Sequence, residues 1–421
     1  MDNGFNMVLK ITDIKVGTVV GNYYWTFVRV YSGENYGTGE GFFAPRLDGV
    51  IKDLGRLIIG EDAVDINRLY DKLMWATVPS GVSGINAHAI SAIEIALLDL
   101  IGKHLNVPVS TLLGGRFRSK IRTYVDTHSG ETLEAMDPTL LPIVPHWMKK
   151  QKVENEEKMN ASIHGRASKE TFSENYTPKA YASRAKKMKD EGFTAIKFDL
   201  DVPTPYSKDY NKETGALNNR EVKHIESLVA AVREAVGEDI DILFDLHWRF
   251  NVESSIRIAK SLEKYNIMWL EDPVPPFNYK ILNLIADSTT TPIATGENYY
   301  RRYEFSEVVN THIKIITPDA LKAGGLMETK FIAQLASLNE MITSPHNIAS
   351  PLGTIAQAHV AAAIPNFGVL EIHGHDVPIW KKLVKNMPLH DGFIEMSDKP
   401  GLGVEIDEKY ASRHSIGEFN L

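Results

Sequence analysis

Eight short apolar runs lie between residues 121 and 375, with amphipathic segments between them, and they limit what this chain can fold into. They are "IRTYVDTH" (121–128), "AIKFDL" (195–200), "DILFDLHW" (241–248), "IMWLEDP" (267–273), "TPIATGEN" (291–298), "HIKIITPD" (312–319), "EMITSPH" (340–346) and "GVLEIHGH" (368–375). Short continuous runs rich in β-branched and aromatic residues read as strands covered on both faces. The segments between them carry the helical period. In 222–236, Ile225, Leu228, Val229, Val232 and Val236 fall on one face, and Gly237 follows as a stop. Eight strand–helix units predict an α/β fold, a (β/α)8 TIM barrel. A doubly wound open sheet is the rival, but no glycine-rich dinucleotide fingerprint follows any of the runs.

The first 120 residues follow a different rule. "ITDIKVGTVVG", "WTFVRVYSG" and "YGTGEGFF" read as a strand meander; helices are expected over 47–78 and over 86–105. Strands first and helices after make an α+β unit. At 421 residues the chain is too long for one ordinary core. The expected division is an α+β domain over 1–120, a barrel over 121–385, and a C-terminal segment over 386–421 that returns to the first domain. In that segment "KPGLGVEIDEKY" reads as a short strand. Two insertions break the barrel's rhythm, at 129–176 and 201–219. The first is polar and charged and longer than most loops in a compact domain.

Composition removes several functions. With no cysteine there are no disulfides, no thiolate metal sites and no cysteine nucleophile. A net charge of −8 argues against nucleic acid as a partner. No apolar run is expected to span a bilayer, and "MDNGFNMVLK" has no signal-peptide core. A cytoplasmic location is the expectation.

Barrel chemistry collects at the C-terminal ends of the strands. The runs end in Asp245 and His247, Glu271, Glu297, Asp319 and His346, and the last carries Glu371. Asp245, Glu271 and Glu297 are each 26 residues from the next, on three successive strands. Three carboxylates converging on one rim repel each other unless a cation joins them. All-oxygen ligands favour Mg²⁺, with Mn²⁺ possible. Asp319 beside His346 would fix the imidazole's tautomer and make it a general base. His247 is two residues beyond Asp245, so alternation along a strand would aim both at one cavity.

These residues, together with "AISAIEIALLDLIGKHLNVPVSTLLGG" (89–115) and "PGLGVEID" (400–407), resemble the enolase superfamily in its mandelate racemase-like branch, over nearly the full length. Glu94 and Leu98 stand where that family commonly has aspartate and tryptophan. The resemblance implies a capping α+β domain over a modified barrel, and Mg²⁺ on Asp245, Glu271 and Glu297. Asp-x-His at the third strand resembles the galactonate and gluconate dehydratases, and also the mannonate dehydratases. Racemases and muconate-lactonising relatives usually have a lysine-based pair in the second strand; here it is Lys197-Phe198-Asp199.

The roles the resemblance implies are those of a sugar-acid dehydratase. His346, with Asp319, would take the proton α to the carboxylate. Glu371 would help stabilise the resulting charge, and His247 would protonate the departing 3-hydroxyl. The product would be a 2-keto-3-deoxy acid, and D-galactonate or D-gluconate the substrate. Asp199, Arg249 and His128 are candidate substrate contacts. Cap loops at 20–25 ("VGNYYW") and 43–50 ("FAPRLDGV") would set specificity. The long first insertion, with Tyr176, keeps a mannonate dehydratase as an alternative; an epimerase or racemase on the same scaffold is another. Relatives imply a homo-oligomer.

Overall fold

The structure is a computed structural model that describes residues 8–21, 23–127, 172–207, 213–417, 419 and 421. His128 and most of the first insertion lie outside them.

The meander forms as expected. Strands β1 (Asp13–Val20), β2 (Tyr24–Ser32) and β3 (Asn35–Gly41) make an antiparallel sheet. Helices α1 (Leu47–Gly55), α2 (Ile66–Thr77) and α3 (Ile85–Leu105) follow. β3 and α3 touch backbone to backbone. A Cβ built on Gly37 would lie 2.0 Å from Ala96 O, and one on Gly39 2.1 Å from Ala92 O. Only glycine permits that approach.

α3 corrects one expectation. At 21 residues it is long and apolar enough to cross a membrane, but 89% of its apolar window is buried inside the protein. It is a core helix, hydrophobic all round because it is covered all round.

All eight runs become strands of one parallel sheet. These are β4 (Lys120–Asp126), β5 (Ala195–Asp199), β6 (Asp241–Asp245), β7 (Trp269–Glu271), β8 (Ile293–Thr295), β9 (Ile315–Ile316), β10 (Ile342–Thr343) and β11 (Leu370–Ile372). They pair in chain order from β4 to β10, and β11 pairs with β4. A parallel bridge between Thr343 and Phe367 joins the last gap. There Gly368 N donates to Thr343 O (3.0 Å) and Glu371 N to Pro345 O (3.3 Å). The helix expected over 222–236 runs from Asn219 to Val236, started by a capping box between Asn218 and Glu221.

The barrel interior is layered. Tyr124, Ala195, Leu243, Trp269, Ala294, Ile315 and Val369 form a closed apolar cluster. Small alanines accommodate the large Trp269, as barrel layers require. Two residues farther along their strands, on the same face, stand Asp126, Lys197, Asp245, Glu271 and Glu371. A charged layer therefore rests on an apolar plug.

The tail returns to the first 120 residues, but not as the strand expected over 399–410. Isolated bridges join Gly401 to Pro108 and Ser415 to Val19, and a short helix spans Glu408–Arg413. Glycines at 401 and 403 take positive φ, which breaks an extended run. Ahead of it, a hairpin of Leu389–His390 and Phe393–Glu395 pairs antiparallel with β4.

Candidate active site

Asp245, Glu271 and Glu297 meet. Each offers one carboxylate oxygen, and the three oxygens lie within 4.8 Å of one another. β6 and β7 set the first two side by side, since Asp245 and Glu271 are register partners. Gly296 sets the third. A Cβ there would lie 2.5 Å from Thr317 N, so the chain turns against β9 and delivers Glu297 to the rim. All three acids are buried. Burial first, and then the neighbouring acids, push Glu271 up to about 7, although Lys197 pulls the other way. Burial would raise Glu297 too, but His346 and Lys322 outweigh it and hold that carboxyl near 2.

Lys197 supplies part of the missing positive charge. Its Nζ lies 2.8 Å from Glu371 Oε1, 3.2 Å from Asp245 Oδ2 and 3.4 Å from Glu271 Oε2. One ammonium among four acids does not balance them. Glu271 Oε1 is buried and accepts no hydrogen bond among the described residues. A buried oxygen without a donor is costly. An all-oxygen donor set with a spare lone pair suits a hard divalent cation, so the residues present fit a metal centre.

His346 sits on one flank of the triad. Its Nδ1 bonds Asp319 Oδ2 at 2.8 Å, and its Nε2 lies 3.3 Å from Glu297 Oε2. The carboxylate partner fixes Nδ1 as the protonated nitrogen and leaves Nε2 facing Glu297 and, at 3.9 Å, Glu371. Burial alone would depress the imidazole; Glu297, Glu371 and Asp319 prevail and raise it to about 10. A cation drawing on Glu297 would relieve that pull and return the ring toward a base.

His247 sits on the other flank, but strand alternation does not put it there. β6 ends at Asp245, and His247 and Trp248 follow in left-handed conformations, with φ 38° and 50°. The turn is held by His247 N donating to Asp245 Oδ1 (2.8 Å) and Trp248 N to Asp272 O (2.7 Å). His247 Nε2 is thereby 3.9 Å from Asp245 Oδ2, while Nδ1 faces Asp201 at 3.1 Å and Asp199 at 3.9 Å. Burial would lower this imidazole; Asp245, Asp199 and Asp201 outweigh it and hold it well above the usual histidine range.

Glu371 is fully buried, with Oε1 on Lys197 and Oε2 accepting from Asn347 N (2.9 Å). Burial pushes its carboxyl up. Asp199 ends β5 inside the site, opposite Asp245. Arg249, half-buried, follows in the turn after β6, its N–H on Leu246 O. Tyr176 lies in the turn before the helix Pro178–Asp190, its carbonyl 2.9 Å from His224 Nε2.

Both cap loops reach the barrel mouth. Tyr23 stacks on Phe43 at 4.5 Å between centroids and lies 5.6 Å from His373. Phe42, just ahead of the second loop, lies 6.0 Å from the His346 ring. Burial, and then Asp126 and Glu297, push the Tyr23 hydroxyl well above its ordinary value.

Three charged residues here were given no site role from the sequence. Lys197 had a signal, a lysine inside an apolar strand. Asp201 had a weaker one, an acid two residues beyond Asp199. Lys322, buried with Nζ 2.8 Å from Asn298 Oδ1 and 4.5 Å from the Phe42 ring centre, lies three residues after Asp319 on a four-residue helix.

Known proteins share this arrangement of chain. Residues 180–410 match the family described as enolase C-terminal domain-like, and residues 9–114 the mandelate racemase / muconate lactonizing enzyme N-terminal domain. D-xylonate dehydratase of Haloferax volcanii is 38% identical over 412 residues, covering 97% of this chain and 89% of that protein. D-gluconate/D-galactonate dehydratase of Picrophilus torridus is 28% identical over 337 residues, covering 79% and 73%. A mandelate racemase/muconate lactonizing enzyme-like protein from Rubrobacter xylanophilus superposes with a TM-score of 0.84 at 34% identity, over 98% of this chain and all of that one. With both halves matched and a relative alike over almost the whole length, the chain belongs to the enolase superfamily, in its mandelate racemase / muconate lactonizing enzyme branch.

Proposed function

We propose that the protein is a Mg²⁺-dependent dehydratase of sugar acids, converting an aldonate to a 2-keto-3-deoxy acid. One observation carries this reading: a triad of carboxylates flanked by two imidazoles, each with its own acidic partner. Elimination of water needs a base at one carbon and an acid at the next, and the two flanks supply one each. The names of the relatives narrow the substrate to pentonates and hexonates, and D-xylonate joins D-galactonate and D-gluconate as a compound to test.

Asp245, Glu271 and Glu297 would hold the cation, which when bound would neutralise charge on the substrate's carboxylate. His346 Nε2 takes the proton from C2, while Asp319 stabilises the imidazolium that forms. Lys197 supports the enediolate through its pairing with Glu371, and a protonated Glu371 would donate a hydrogen bond to it. His247 gives a proton to the C3 hydroxyl, which leaves as water. The enol then tautomerises to the ketone. Tyr23, Phe42 and Phe43 roof the cavity and exclude solvent.

A panel of xylonate, galactonate, gluconate and mannonate with Mg²⁺, read as semicarbazide-reactive keto acid, tests the reading. Turnover of at least one is expected. Epimerised product without keto acid would replace the dehydratase with an epimerase. Mannonate as sole substrate would favour the mannonate alternative.

A further inference from the structure

We infer that Asp201 is a positioning residue for His247, making the second flank a histidine–aspartate pair in its own right; this rests on the dehydratase reading above. Asp201 is 8% exposed and lies just beyond β5. Its place is set by two tethers on the backbone that leads into it. Leu200 N donates to Asp245 O at 2.8 Å, tying the end of β5 to the end of β6. Tyr181 Oη donates to Asp199 O at 2.7 Å, fastening the preceding residue to a helix. Asp201 Oδ1 is then 3.1 Å from His247 Nδ1.

The geometry decides which nitrogen does what. A carboxylate only accepts, so Nδ1 must carry a proton. Nε2, on the side of Asp245, is left to hold the proton that is given away. After donation the ring is the Nδ1–H tautomer, still held by Asp201. The backbone of His247 gives little direction of its own, since it sits in a left-handed turn rather than on a strand. Asp201 therefore does for the acid what Asp319 does for the base. Asp199, at 3.9 Å from the same nitrogen, is beyond hydrogen-bond range.

The test separates the two halves of the reaction. In Asp201→Asn with Mg²⁺, dehydration of the substrate found by the panel should fall by about 100-fold or more. Exchange of the C2 proton with solvent, which needs only His346, should stay within about twofold. With a 3-deoxy-3-fluoro analogue, whose leaving group needs little help, fluoride release by Asp201→Asn should match the parent within about threefold. If exchange and both eliminations fall together, Asp201 is merely structural and the inference is wrong. If dehydration is undiminished, it is also wrong.

A second measurement does not depend on turnover. In histidine-labelled, Mg²⁺-loaded protein, the His247 ring nitrogens, assigned with His247→Gln, should show a protonated Nδ1. In Asp201→Ala that signal should change and the His346 signals should not. An unchanged His247 ring overturns the inference. Absence of turnover on every sugar acid, with the ring signals as expected, sinks the function and leaves the pairing standing.

Discussion

Buried acids occur in two regions of this protein, and they are treated in opposite ways. Where the first domain meets the barrel, each buried carboxylate faces backbone amides. Glu40 accepts from Ser350 N (3.0 Å), Gly353 N (2.9 Å) and the Ser350 hydroxyl, at the start of the helix Pro351–Ala363. Glu94 accepts from Leu326 N and Met327 N, both at 2.9 Å, at the start of the helix Leu326–Ser337. Asp99 accepts from Thr38 N and Leu402 N. At the barrel mouth the carboxylates converge on one another, with Lys197 and two imidazoles among them and only single backbone amide donors on Asp245 and Glu371. Glu40 and Glu94 close helix ends that would otherwise be unsatisfied, and Asp99, also paired with Lys103 at 2.7 Å, ties β3 to the tail. The second leaves an oxygen without a donor. Burial of an acid is therefore no sign of function by itself; convergence that leaves a buried oxygen unsatisfied is.

The comparison breaks most easily at the mouth. Glu271→Gln or Glu297→Gln should lower Mg²⁺ affinity, read by calorimetry, by more than about 100-fold, beyond the loss seen when a mere supporting group of a metal site is removed. The same variants should melt within a few degrees of the parent. A chelator should abolish keto-acid formation, and Mg²⁺ restore it. If Mg²⁺ affinity survives either change, the mouth is only another structural cluster. Next in size is Asp319→Asn, which should slow exchange of the C2 proton by roughly 10²–10⁴-fold with Mg²⁺ affinity unchanged.

The other region should answer only in stability. Glu40→Ala strands two buried amides and a hydroxyl and should destabilise the protein by about 2–4 kcal/mol, read by denaturation, with Mg²⁺ affinity intact. A loss of Mg²⁺ binding there would erase the distinction between the regions.

The smallest effect is on pH. Burial holds Glu40 and Glu94 up to about 7 against an ordinary 4.5, more than their amide donors lower them. Each therefore keeps a proton in the folded state that it loses in the unfolded one. Their stabilisation is full below about 4.5 and is lost as pH rises through about 7. The melting temperature should fall between pH 5.5 and pH 8, and Glu40→Gln should flatten the slope. An unchanged slope would mean that the amides keep Glu40 ionised.

Much of the frame was legible before any coordinates. Parallel barrel strands are covered on both faces, so they appear as plain apolar runs. A strand's last residue marks the rim, so Asp245, Glu271 and Glu297 could be aligned by spacing alone. What stayed hidden depends on turns and long-range partners. The position of His247 comes from two left-handed residues, which no period encodes. Asp201 matters only because β5 and β6 end together. The amide contacts of Glu40 and Glu94 span more than 200 residues of sequence. The tail read as a strand because its glycines look no different in sequence from those of a β-turn. His128 lies outside the described residues.

Glu40 has one more consequence. Two positions later comes Phe42, whose N–H is on Leu321 O at 3.0 Å and whose ring faces His346. The cap segment is thus fastened to the barrel immediately beside His346. Anyone transplanting the first 120 residues from a relative to change selectivity would also have to transplant the stretch from 319 to 353 that receives them, because the lid and its hinge plate are machined as one fitting.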